Sequence, residues 1–116
     1  MSHRAPLAGK FLEEVGGIFR VLGDPTRLEI LQALMTGPKA VGEVVVQTGK
    51  GQANVSKHLS LLASASLVRR TKRGTQAIYE IAEPLVFDLC DLVCNSVRAR
   101  LAKQVKANSK LLRTTV

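Results

Sequence analysis

Five polar side chains within seven residues are the best-equipped chemical group in this 116-residue chain: Gln52, Asn54, Ser56, Lys57 and His58. They supply two carboxamides, a hydroxyl, an ammonium and an imidazole, with no acid among them. Carboxamides pair with adenine, and cations reach guanine or a phosphate, so the set suits base edges in a major groove. A second group is purely cationic: Lys50 upstream, then Arg69, Arg70, Lys72 and Arg73. From Val44 to Tyr79 there is no acidic residue at all, and a surface of one sign attracts a polyanion. The third group is Cys90 and Cys94, at i and i+4 and hence on one face of one helix. Two sulfurs so placed can reach one soft metal or metalloid, or answer an oxidant. Equally, cysteine is a small hydrophobe that packs in helix seams, and a zinc site would need the same pair from a second copy. Asp88 and Asp91 can add oxygen ligands or simply solvate the outer face of that helix.

The periodicity around these groups says what holds them. Val41, Val44, Val45 and Thr48 form one stripe of a short helix. The run Val44-Val45-Val46 also suits a strand, but the flanking spacing is helical. Gly49-Lys50-Gly51 breaks the pattern as a sharp turn. A second helix follows from Gln52, with Val55, Leu59 and Leu62 inward and the five polar residues outward. Helix, glycine turn and polar-faced helix make a helix-turn-helix. Leu67–Thr71 and Ala77–Ile81 read as strands around Lys72-Arg73-Gly74-Thr75, a basic hairpin that serves as a wing.

Upstream, Phe11, Leu12, Val15, Ile18, Phe19 and Leu22 give a wide apolar stripe from Ala8 to Leu22. Gly23-Asp24-Pro25 marks the end of that helix and the capped start of the next. Gly37-Pro38 stops the second helix. A last helix begins near Pro84, with Leu85, Val86, Leu89, Cys90, Val93, Val97 and Leu101 apolar. A domain this small cannot cover the outer helices alone, so a second copy is expected on them, with Phe19, Leu89, Val93 and Val97 as interface candidates. The expected fold is mainly α with a two-stranded β wing: a winged helix-turn-helix of four helices, the wing, and a fifth helix. It spans residues 8–102, between a flexible leader over 1–7 and a basic tail over 103–116 that should fray.

Composition narrows the classes. Seventeen Lys and Arg against nine Asp and Glu leave a formal charge of +8, which favours a nucleic acid or an anionic surface. No apolar run approaches the roughly 20 residues needed to span a bilayer, no signal-peptide pattern follows Met1, and two cysteines are no secreted framework. A cytoplasmic protein is expected. There is no nucleophile elbow, glycine-rich phosphate loop or zinc-protease signature, so no enzyme and no cofactor are expected. The alternative is a winged-helix module that binds protein instead of DNA; the polar, basic face favours double-stranded DNA.

The segment Val21-Leu22-Gly23-Asp24-Pro25-Thr26-Arg27-Leu28-Glu29-Ile30-Leu31 resembles the entry to the second helix of the ArsR/SmtB family of bacterial repressors. Gln52-Ala53-Asn54-Val55-Ser56-Lys57-His58-Leu59 resembles that family's recognition helix, and the hairpin through Arg73-Gly74 to Tyr79 resembles its wing. The resemblance runs from about residue 10 to residue 102. It implies a homodimeric repressor whose first and last helices form the interface, and an effector, often a metal ion, that releases DNA. Two departures stand out. The helix before the recognition helix, Val41 to Gln47, has no Cys-x-Cys pair, and the last helix has no histidine, since His3 and His58 are the only two. The ligands of both familiar metal sites are therefore missing and the effector is unknown. Ser66 also stands where the family often has glycine, which bears on the turn after the recognition helix.

Overall fold

The computed structural model describes residues 8–114, with side chains through Ser109. The expected leader over 1–7 lies outside the described residues. The chain runs α1 (Gly9–Leu22), α2 (Pro25–Leu34), β1 (Lys39–Ala40), α3 (Val41–Thr48), α4 (Gln52–Ser64), β2 (Val68–Arg73), β3 (Gln76–Ile81) and α5 (Leu85–Thr114). It divides into two units, one through Glu83 and one from Pro84 onward.

In the first unit each boundary has a local cause. Asp24 caps α2 by accepting the Arg27 N–H at 3.0 Å, and Pro25 occupies the first turn, where a missing N–H costs nothing. The Glu43 carboxylate accepts the Ala40 N–H at 2.8 Å, tying down the start of α3. Gly49 ends α3 at φ +71°, a left-handed conformation that side chains resist. It returns its N–H to Val45 O at 2.9 Å and swings the chain into α4. Ile30, Leu31, Leu34, Val44, Val55, Leu59 and Leu62 are the fully buried centre, closed by Leu67, Val68 and Tyr79. Three helices thus share one apolar core, and α4 is seated on it by a single stripe.

The exit from α4 is a Schellman turn. Leu67 N–H reaches Leu62 O and Ser66 N–H reaches Ala63 O, both at 3.0 Å, while Leu67 and Leu62 are both buried. The left-handed position of this motif, φ +62°, is filled by Ser66, the only described non-glycine residue with positive φ.

The wing strands are longer than the hydrophobic pattern suggests, and only Gly74-Thr75 lies between them. Gly74 takes φ +61°, as the first position of a two-residue primed turn requires. The sheet has three strands in the order β1-β3-β2, all antiparallel. The extra strand, Lys39–Ala40, pairs with Tyr79 and Ile78 of β3. Two residues carry no readable period, and their partner is distant in sequence.

The second unit is α5 alone. It continues to Thr114, past the end expected near residue 102. The physical reason is local: no glycine or proline occurs after Pro84, and Lys, Gln, Arg and Ala all extend a helix well.

Candidate nucleic-acid interface

Helical phase decides which polar residues of α4 reach solvent. With Val55, Leu59 and Leu62 buried, Gln52, Asn54 and Lys57 are exposed, while Ser56 and His58 flank the buried stripe and are half-buried. Gly51 precedes the helix with no side-chain cap, so the first N–H groups of α4 stay open at the positive end of its dipole.

His58 is held from behind. Its Nδ1 lies 3.1 Å from Arg27 Nη1. Arg27 also donates through Nε to Val21 O at 2.6 Å and through Nη2 to Arg20 O at 3.4 Å, the last carbonyls of α1. The Arg27 backbone N–H donates to Asp24, and this bond is the main reason the Asp24 carboxyl is lowered below 3.8. Desolvation opposes that shift, and the nearby charge of Arg27 adds to it.

The cations divide into engaged and free. Lys50 Nζ lies 3.9 Å from Glu29 Oε1, both partly exposed, a pair of little energetic weight. Arg69 donates from Nη2 to Glu80 Oε1 at 3.0 Å, directly across the β2–β3 ladder. Arg70, Lys72 and Arg73 are exposed, and among the described residues no carboxylate pairs with them. Arg73 ends β2 against the turn. The acid-free stretch therefore has two of its cations answered by acids outside it, Glu29 on α2 and Glu80 on β3.

The remaining candidates lie elsewhere. Phe19 on α1 is 60% exposed, and on α5 Val93 and Val97 are 54% and 38% exposed with Leu89 half-buried. Cys90 is half-buried and Cys94 exposed. Burial, then Cys94 and Asp91, push the Cys90 thiol above 9.0, so it stays protonated at neutral pH. Among the described residues no group of three or more His, Cys, Asp or Glu is gathered to hold a metal ion. No described helix is long and apolar enough to cross a membrane. Arg27 is the residue of this site that the sequence does not signal: it reads as part of a helix boundary, and nothing in its neighbours points to a contact with His58.

Comparison with known proteins follows the same lines. Residues 24–70, from the cap of α2 into the wing, match the family described as bacterial regulatory protein, arsR family. A probable mercury resistance operon repressor from Streptomyces lividans is 39% identical over 61% of this chain, which spans 57% of that relative. An uncharacterized HTH-type transcriptional regulator from Methanocaldococcus jannaschii is 37% identical over 70% of this chain and 92% of its own length. Among solved structures, the homodimeric winged helix-turn-helix DNA-binding domain from Mycobacterium bovis superposes with a TM-score of 0.72 at 30% identity. That match covers 84% of this chain and 91% of the other.

Proposed function

The chain belongs to the arsR family of bacterial regulatory proteins, and from that premise we propose that it binds double-stranded DNA as a homodimer in the cytoplasm and represses transcription. The observation that carries this reading is the joint presentation of two surfaces on one unit. Gln52, Asn54 and Lys57 stand exposed on the second helix of a helix-turn-helix, and Arg70, Lys72 and Arg73 stand exposed on the hairpin that follows it. The helix offers groups that discriminate base edges, and the wing offers charge that neutralises phosphates. A protein-binding winged helix would need an apolar or acidic face here, and neither is present on α4 or the wing. The residues serve binding and no catalysis.

The exposed apolar side chains Phe19, Val93 and Val97 support a dimer. It is supported by the homodimeric Mycobacterium bovis domain. Two copies would set their recognition helices about one duplex turn, roughly 34 Å, apart to engage both half-sites. The effector is left open, with Cys90 and Cys94 as the soft ligands in the described chain.

The test is selection of duplexes from a random pool followed by titration of the enriched sequence. Gln52→Ala with Asn54→Ala should cost roughly 1–3 kcal/mol per lost base contact and relax selectivity at those positions. Enrichment of no sequence, or undiminished selectivity in the double variant, would remove α4 as the reader.

A further inference from the structure

Arg27 and His58 join the corner between α1 and α2 to the DNA-facing helix, and their chemistry allows only one arrangement. A guanidinium has N–H donors and no acceptor. The 3.1 Å contact between Arg27 Nη1 and His58 Nδ1 therefore holds only when Nδ1 carries a lone pair. A neutral ring in that state bears its proton on Nε2, since the bond made by one ring nitrogen fixes the role of the other. Arg27 cannot easily swing away. Its Nε is bonded to Val21 O at 2.6 Å and its Nη2 to Arg20 O at 3.4 Å, so the planar fork is anchored on the end of α1. Its own backbone N–H is bonded to Asp24 at 3.0 Å. His58 sits beside the buried Leu59 at the edge of the inner stripe and is half-buried, so the ring is clamped on one side only.

We propose that Arg27 is a positioning residue for DNA recognition, holding His58 so that its Nε2–H is the group presented to a hydrogen-bond acceptor on the duplex. This rests on the DNA-binding reading above. The acceptor is a purine N7 or O6, or a phosphate oxygen; each is a lone pair that Nε2–H can meet. With Nδ1 accepting from Arg27, the contact made by Nε2–H acts through direction and not through charge, and releases no counterion. Arg27 itself does not touch DNA in this scheme. Its place is to keep the end of α1, the start of α2 and the reading face of α4 in one register.

The test uses the duplex that the wild-type protein enriches from a random pool, titrated with wild type, Arg27→Lys, His58→Asn, His58→Gln and the double variants. Asparagine keeps an acceptor near the Nδ1 position but does not reach as far as Nε2, whereas glutamine keeps a donor near Nε2 and loses the Nδ1 acceptor. Arg27→Lys preserves charge but cannot hold two carbonyls and a ring together. It should weaken binding about tenfold with the salt slope unchanged, and its effect should vanish in the His58→Asn background, the signature of coupled residues. With His58→Gln in place, Arg27→Lys should likewise cost little.

A purely structural Arg27 would instead lower the melting temperature and weaken binding equally in every background, which overturns the proposal. A flattened salt slope in Arg27→Gln, which removes the charge, overturns it too, by making Arg27 a phosphate contact. Imidazole nitrogen NMR supplies a readout independent of DNA: the neutral wild-type ring should carry its proton on Nε2, and a proton on Nδ1 refutes the clamp. Duplexes with N7 replaced by carbon, one purine at a time, locate the acceptor. A sensitive position that becomes insensitive with His58→Asn marks a purine N7, and insensitivity throughout leaves O6 or the phosphate. A wild type that enriches no duplex overturns the DNA reading and this proposal together. A wild type that binds, with independent Arg27 and His58 effects, overturns the proposal alone.

Discussion

Ser66→Gly should stabilise this protein without altering its grip on DNA. Ser66 occupies the left-handed position of the turn that ends α4, at φ +62°. For an L-residue with a β-carbon that conformation costs about 1–2 kcal/mol. Glycine removes the cost but has more freedom to lose from the unfolded chain, about 0.4–1 kcal/mol. The net gain is about 1 kcal/mol. Ser66 is exposed, so no packing is lost, and the two 3.0 Å bonds of the motif use backbone atoms that glycine also has. In a domain of this size the gain corresponds to a rise of about 4–8 °C in melting temperature. Urea unfolding at matched protomer concentration is the assay, since association makes stability concentration-dependent. The midpoint should rise with m unchanged, and the affinity for the selected duplex should stay the same. A midpoint that falls or does not move, at constant m, would refute the left-handed assignment at residue 66. Ser66→Val is the opposite control, because β-branching makes the same backbone harder to reach, and it should lower the midpoint.

Other expectations concern charge, assembly and the thiols. Arg73→Ala should flatten the slope of log affinity against log salt by about 0.9 per wing; an unchanged slope would put the wing tip away from the duplex. Glu80→Gln should tighten binding and steepen that slope, because it frees Arg69 from its 3.0 Å partner; weaker binding would mean that Glu80 orients Arg69 usefully. Val93→Glu places an unpaired charge on an apolar surface, a change worth several kcal/mol against association, and sedimentation should show monomer with DNA binding reduced in parallel. Cys90→Ser with Cys94→Ser should still bind the duplex and respond to oxidant, zinc or arsenite as the wild type does, because Cys90 is half-buried on the apolar side of α5, its thiol pushed up by that burial, and no third ligand is gathered beside the pair among the described residues. A double variant that stays bound when one of these agents releases the wild type would make the pair a sensor.

Much of this was written in the linear sequence, and for identifiable reasons. Gly23-Asp24-Pro25, Gly49 and Gly74 each set a backbone angle or a cap by local chemistry, so the joints between α1 and α2 and between α3 and α4, and the turn of the wing, followed from residue type. The spacing of Val55, Leu59 and Leu62 fixed the phase of α4, and with it the exposure of Gln52, Asn54 and Lys57. What the tertiary structure decided were pairings between residues far apart in the chain. Lys39–Ala40 became a strand only because β3 offered it a ladder. Glu80 found Arg69 because the hairpin register placed them opposite, and Glu29 found Lys50, so the acid-free stretch has fewer free cations than a count of its residues suggests. Arg27 reached across to His58, 31 positions away in the chain, and ties the start of α2 to the reading helix. Local angles and helical phase are properties of neighbours in the chain, and a sequence states them; hydrogen bonds and ion pairs between elements depend on distances that exist only after the core has closed.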